Sequence, residues 1–136
     1  MGDDRFEDGV RMRRTVLGED HVRRSMASAN AFSKPMQDLV TEYCWGTVWT
    51  RPALGLRERS LINLAMLTAL NRPDELELHV RGALNNGCTQ EEIQEVLLQA
   101  AVYCGVPAGI SAFRVARAVV DERHGAGGDG RVPEEG

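Results

Sequence analysis

Glu75 and His79 are four residues apart in a stretch that Pro73 opens as a helix, so their side chains fall one turn apart on one face. An imidazole with an ordinary pKa of about 6.5 can give or take a proton near neutrality, and a carboxylate beside it can orient the ring or raise its basicity. By residue type alone, an ordinary surface or capping histidine is the commoner reading of such a pair. His21 falls in a polar helix and His124 in the C-terminal tail, and both read as solvated. Arg51, Arg72 and Arg59 carry the planar fork that binds carboxylates bidentately. Arg72, before Pro73, equally reads as loop surface, and Arg59 as a structural partner of Glu58 or Glu92. Trp45, Trp49 and Tyr103 could wall an apolar pocket or simply pack. The 3 cysteines, Cys44, Cys88 and Cys104, have no C-x-x-C spacing and read as small, buried, reduced side chains.

Helices must position these groups. Arg5 to Arg14 reads as a charged helix or arm ended by Gly18, and Asp20 to Asn30 as a helix whose Val22, Met26 and Ala29 give only a thin apolar stripe. After Ser33 and Pro35, the spacing of Met36, Leu39, Val40 and Tyr43 predicts a helix to about Trp45. WGTVWTRP breaks that period, and Thr50-Arg51-Pro52 reads as an irregular connection, in a loop that holds both tryptophans. Leu61 to Leu70 is apolar nearly all round, which predicts a central helix packed on every side. Leu76, Val80, Ala83 and Leu84 face inward on the next helix, which ends at Asn86-Gly87. Thr89 and Glu92 predict a capping box, followed by the stripe Ile93, Val96, Leu97, Ala100, Ala101 and Cys104. Gly105 stops that helix and Pro107 starts the last, with Ile110, Phe113, Ala116 and Val120 inward until about Asp121. No segment alternates like a strand, so the fold class is all-α.

A chain of 136 residues and 15.0 kDa supports one core. A formal charge of -4 without a dense basic block argues against a nucleic-acid partner. No apolar run approaches the roughly 20 residues of a spanning helix, so no membrane partner is expected. The polar start Met1 to Asp8 is unlike a signal peptide, and the expectation is a soluble, cytoplasmic protein. The tail after His124 is too polar to offset its ordering entropy and is expected to be disordered.

The helix pair SLINLAMLTALNRPDELELHVRGALNNG and TQEEIQEVLLQAAVYCGVP resembles the core of the carboxymuconolactone decarboxylase family in order, spacing and turn chemistry. WGTVWTRP upstream and YCGVP downstream resemble the true decarboxylases of that family. The resemblance divides the chain into an N-terminal helical arm (1–31), the family domain (32–122) and a tail (123–136). It implies an alkylhydroperoxidase-D-like helical fold and a homo-oligomer, as a hexamer. Thiol peroxidase relatives carry a C-x-x-C-x-x-x-H relay where this chain runs from Arg72 to His79. The histidine is kept, but Arg72 and Glu75 replace the thiols and Ser60 replaces the relay's upstream glutamate. Disulfide chemistry needs an attacking and a resolving thiolate, which argues against the alternative of an alkylhydroperoxidase-like redox enzyme. A non-catalytic oligomeric binding protein is the other alternative.

The activity the resemblance implies is loss of CO2 from 4-carboxymuconolactone, a small lactone dicarboxylate, to give 3-oxoadipate enol-lactone in protocatechuate breakdown. The departing carboxylate sits on a ring carbon conjugated to the lactone carbonyl, so the electron pair delocalises as a dienolate, and neither a cofactor nor a metal is needed as electron sink. The protein must hold two carboxylates, stabilise charge on the lactone oxygen and return a proton. His79 is then the proton donor with Glu75 as its partner, and Arg51, Arg72 and, more weakly, Arg59 are the carboxylate anchors. Trp45, Trp49 and Tyr103 are the apolar wall against which the leaving carboxylate loses hydration. The Tyr103 hydroxyl or the N–H groups of Val106 to Ala108 are candidates for the enolate oxygen.

Overall fold

The computed structural model describes residues 4–126. Within them the chain forms α1 (Arg5–Leu17), α2 (Glu19–Ser28), α3 (Lys34–Leu39), a π-helix (Val40–Val48), α4 (Leu56–Ala69), α5 (Pro73–Asn85), α6 (Gln90–Cys104) and α7 (Val106–Ala126). No strand occurs among the described residues, as the all-α reading requires.

Helix α5 divides two apolar clusters. Leu76, Val80 and Ala83 join Leu64, Ile93, Leu97, Ala112 and Val119 in a core shared by α4 to α7. On another side Leu78 packs against Val16, Leu17, Val22, Trp45 and Trp49, contributed by α1, α2 and the π-helix region. The capping box at the start of α6 is present, with the Glu92 N–H donating to Thr89 Oγ1 at 3.0 Å and the Thr89 N–H to Glu92 Oε1 at 2.8 Å.

The first helix is an integral layer that packs on the π-helix and on α5. Two glycines let it approach. A Cβ at Gly9 would run into the carbonyl oxygen of Thr41, and one at Gly46 into that of Arg5. Arg13 spans the seam, 6% exposed, donating from Nη1 to Gln37 Oε1 at 2.9 Å and to Thr41 Oγ1 at 3.2 Å. Burial lowers its pKa from the ordinary arginine value.

Several expectations need correction. WGTVWTRP is a loop only in its second half: Trp45 lies inside the π-helix and Trp49 caps it, because i to i−5 bonding such as Trp49 N–H to Cys44 O (3.0 Å) widens the turn instead of ending it, while Thr50 to Pro52 are non-helical as expected. The assumed stripe is not the buried one: Met36, Leu39 and Tyr43 are exposed, while Thr41, Trp45 and Gly46 of the π-helix are buried. Helix α4 is packed on one face only, through Ser60, Leu64 and Thr68, leaving Ile62, Met66 and Leu70 exposed in the single chain. On α7, Ala112, Ala116 and Val119 are buried while Ile110 is exposed. That helix runs to Ala126, past Asp121. Cys88 is buried, but Cys44 and Cys104 are exposed. The expected disordered tail falls largely in 127–136, outside the described residues.

Candidate active site

Pro73 opens α5, and Leu76, Val80 and Ala83 fix its rotation by filling the α4–α7 core. With that face committed, the neighbouring Leu78 and His79 turn toward the two tryptophans. The indoles are held by the π-helix: the Thr50 hydroxyl donates to Gly46 O at 2.7 Å, and the ring centroids of Trp45 and Trp49 lie 4.7 Å apart. His79 stacks on both, 6.0 Å from Trp45 at an interplanar angle of 3° and 6.2 Å from Trp49 at 29°. Trp45 is 4% and Trp49 7% exposed, so the imidazole has an apolar, largely dry wall.

That wall sets the electrostatics. Burial pushes the pKa of His79 down to about 4, and the negative charge of Glu75 one turn earlier opposes the shift only in part. The imidazole is therefore neutral at pH 7. Any proton it acquires there is given up readily, since the conjugate acid is stronger than ordinary imidazolium. Among the described residues one polar side chain hydrogen-bonds the ring: Asn63 of α4 brings Nδ2 to 3.4 Å from His79 Nδ1. Sequence reasoning missed Asn63. The available signal was a single amide in the apolar run LINLAML, one turn after Arg59.

The sequence candidates divide into those near this cluster and those apart from it. Arg59 shares with Asn63 one face of α4. Its Nη2 donates to the Arg51 carbonyl at 3.1 Å, and its Nε is buried without a partner. Neither structural partner foreseen for Arg59 is used; Arg57 takes both, pairing with Glu92 at 2.5 Å and with Glu58 at 3.9 Å. Arg51 enters through its backbone, with an exposed side chain. Glu75 is exposed and lines an open groove of about 830 Å³ between the start of α2 and α5, along with His21, Arg24, Leu78 and Arg81. Arg72 does not join the cluster: it precedes α5 by the cleft of Leu67, Asn71, Ala108 and Ser111, two turns or about 10 Å along the helix from His79. Tyr103, 82% exposed at the end of α6, also stands outside it.

Among the described residues no group of three or more His, Cys, Asp or Glu side chains could hold a metal ion. Cys44 lies in the π-helix, Cys88 in the connection between α5 and α6 and Cys104 at the end of α6, and none is in a disulfide. What the cluster offers chemically is a desolvated imidazole with an amide partner, and one turn along α4 from that amide a guanidinium whose Nε is unpaired. Such a set suits an anionic substrate that must lose charge to a delocalised product.

Residues 34–118 match the Carboxymuconolactone decarboxylase family. The chain is 44% identical over 117 residues to a nitrosuccinic acid decarboxylase of Metarhizium robertsii, covering 86% of this chain and 82% of that one. It is 42% identical over 115 residues to a 4-carboxymuconolactone decarboxylase of Acinetobacter baylyi, covering 85% and 86%. An uncharacterised 15.0 kDa protein of Paracoccus denitrificans is 33% identical over 84 residues, covering 60% and 62%. With the helical fold and the imidazole cluster in hand, these matches establish that the chain belongs to the carboxymuconolactone decarboxylase family and is, in class, a decarboxylase, a carbon–carbon lyase.

Proposed function

We propose that this protein decarboxylates 4-carboxymuconolactone to 3-oxoadipate enol-lactone and CO2, without a metal or organic cofactor, as a cytoplasmic step of protocatechuate breakdown in the β-ketoadipate pathway. The observation that carries the reading is the imidazole of His79 stacked on Trp45 and Trp49 in a chain 42% identical to a 4-carboxymuconolactone decarboxylase. The bond to the departing carboxyl carbon breaks, its pair enters the conjugated lactone as a dienolate, and His79 returns a proton to the ring carbon. Since the free imidazole is neutral, binding of the dianionic substrate must draw a proton from solvent onto the ring: nearby carboxylates favour its charged form. Glu75 acts in the same direction. Arg59 anchors the retained carboxylate, with Arg51 at the mouth, and the indoles desolvate the carboxylate that leaves. Arg72 and Tyr103 are assigned to this site only through a neighbouring subunit. In a homo-oligomer, a hexamer by family resemblance, the exposed Met36, Leu39, Ile62, Met66 and Val102 would be covered. A monomer by sedimentation would remove that part.

The test is to mix chelator-treated protein with 4-carboxymuconolactone and follow CO2 and the enol-lactone. Turnover is expected, with His79→Gln lowering kcat by about 10²-fold or more. Absence of turnover in the folded protein overturns the substrate, and near-wild-type turnover in the variant overturns the role of His79.

A second substrate reading has its own support in the 44% identity to a nitrosuccinic acid decarboxylase. Nitrosuccinate is also a dicarboxylate, and its nitro group can take the electron pair as a nitronate, so the demands on His79 and Arg59 are alike. Comparing kcat/KM for the two substrates decides between them.

A further inference from the structure

We propose that Asn63 is the positioning residue of His79: its side-chain amide donates to Nδ1, so the neutral ring carries its hydrogen on Nε2, the nitrogen left to meet the substrate. The inference rests on His79 being the proton donor, but its first test does not.

The contact is across elements, Asn63 on α4 and His79 on α5, with Nδ2 3.4 Å from Nδ1. The other neighbours that press on the ring cannot substitute for it. The faces of Trp45 and Trp49 offer the imidazole no acceptor and fix only its plane. Glu75 influences the ring through charge and makes no hydrogen bond to it among the described residues. Among the described residues, rotation of the ring within its plane and the choice of tautomer are thus left to the Asn63 amide. A carboxamide suits the task better than a carboxylate, because it has both kinds of group. Its NH2 donates to the bare Nδ1 of the neutral ring. When the ring gains a proton and Nδ1 becomes a donor, a turn of the amide presents Oδ1 instead. Asn63 can therefore follow the ring through both protonation states without leaving a fixed negative charge beside a departing carboxylate. A hydrocarbon at this position would orient neither state, and an aspartate would accept from Nδ1–H in both.

The experiment is 15N NMR of the imidazole nitrogens in ligand-free protein near neutral pH, for wild type, Asn63→Asp and Asn63→Leu, with steady-state kinetics on the same samples. Wild type is expected as the Nε2–H tautomer. Asn63→Asp should invert it to Nδ1–H, and Asn63→Leu should give the mixture of a free imidazole. In Asn63→Leu, kcat should fall by about 10²-fold with KM within about 3-fold, the pattern of a misoriented donor on an intact binding site. A wild-type Nδ1–H tautomer overturns the proposal without any variant. A tautomer that stays Nε2–H in Asn63→Asp overturns it equally, as does full kcat in Asn63→Leu. If the spectra behave as expected and wild type turns over neither substrate, the tautomer assignment stands and the proposed reaction fails.

Discussion

The rings of Trp45 and His79 lie 3° from parallel with centroids 6.0 Å apart, so one face of the imidazole sees an indole instead of water. That contact ties stability to chemistry. The unfolded chain hydrates His79 and gives it an ordinary pKa of about 6.5, whereas burial in the fold pushes it down to about 4.

The first prediction is a pH dependence of stability. Between the two pKa values the unfolded chain binds more protons, so stability rises with pH through this window. The contribution is complete above the unfolded value and is lost as pH falls through the folded one. Its size is about 3 kcal/mol, since a tenfold change in proton affinity between the unfolded and folded chain is worth about 1.4 kcal/mol. Urea midpoints of wild type and His79→Gln, compared from neutral pH down to the folded pKa, should show the wild type losing stability faster on acidification. Parallel curves would mean that the imidazole is hydrated in the fold.

Proton uptake on binding is the second. If binding of a dianion draws a proton from solvent onto His79, the complex with a non-reacting dicarboxylate analogue should take up nearly one proton per site between the free pKa of about 4 and the raised value in the complex. Calorimetry in buffers of different ionisation enthalpy measures this directly. Zero uptake would leave the bound imidazole neutral and remove it as the acid. His79→Gln should abolish the uptake without abolishing binding.

The third concerns the helix crossing that holds the tryptophans. Gly46→Ala places a methyl against the carbonyl oxygen of Arg5, a backbone atom that cannot swing aside. The loss should be at least the roughly 1–3 kcal/mol of ordinary overpacking, with α1 displaced from the π-helix. Gly125→Ala, where a Cβ meets nothing within 4 Å, is the control and should not destabilise. Equal thermal midpoints for the two variants would show that the seam is loose.

Much of this arrangement was legible in the sequence, and the failures share causes. Periodicity located α5 and α6 because both bury a continuous stripe within the chain, and the Thr89/Glu92 cap is a local device that needs no tertiary context. The π-helix escaped because Gly46 and the approach to Pro52 look like a break, and because the reason for a small residue there, the close crossing with α1, is not local in sequence. Apolar residues such as Ile62, Met66 and Ile110 read as core, since hydrophobicity does not distinguish burial in the chain from exposure on it. For the site, His79 and the tryptophans were found by type and resemblance, and their stacking was not visible because it joins residues on elements far apart in the chain. Asn63 had only the weak signal of an amide in an apolar run, its role being defined by what α5 brings beside it.

The last prediction separates the arginines. Arg59 has a buried, unpartnered Nε and lies one turn from Asn63, whereas Arg72 stands about two turns along α5 from His79 and the Arg51 side chain is exposed. Lysine keeps the charge but loses the planar fork, so Arg59→Lys should raise KM by about 10- to 100-fold, the scale of one charged hydrogen bond, with a smaller change in kcat. Arg51→Lys should raise KM less, since its charge is screened by solvent. Arg72→Lys discriminates between a site complete in one chain and one shared across subunits. In the first case KM stays at the wild-type value. In the second it rises as for Arg59→Lys, and dilution to the monomer should then reproduce the defect in the wild type. A rise in KM for Arg72→Lys alone, with Arg59→Lys unaffected, would move the carboxylate anchor to the start of α5 and leave the buried Nε of Arg59 without a ligand.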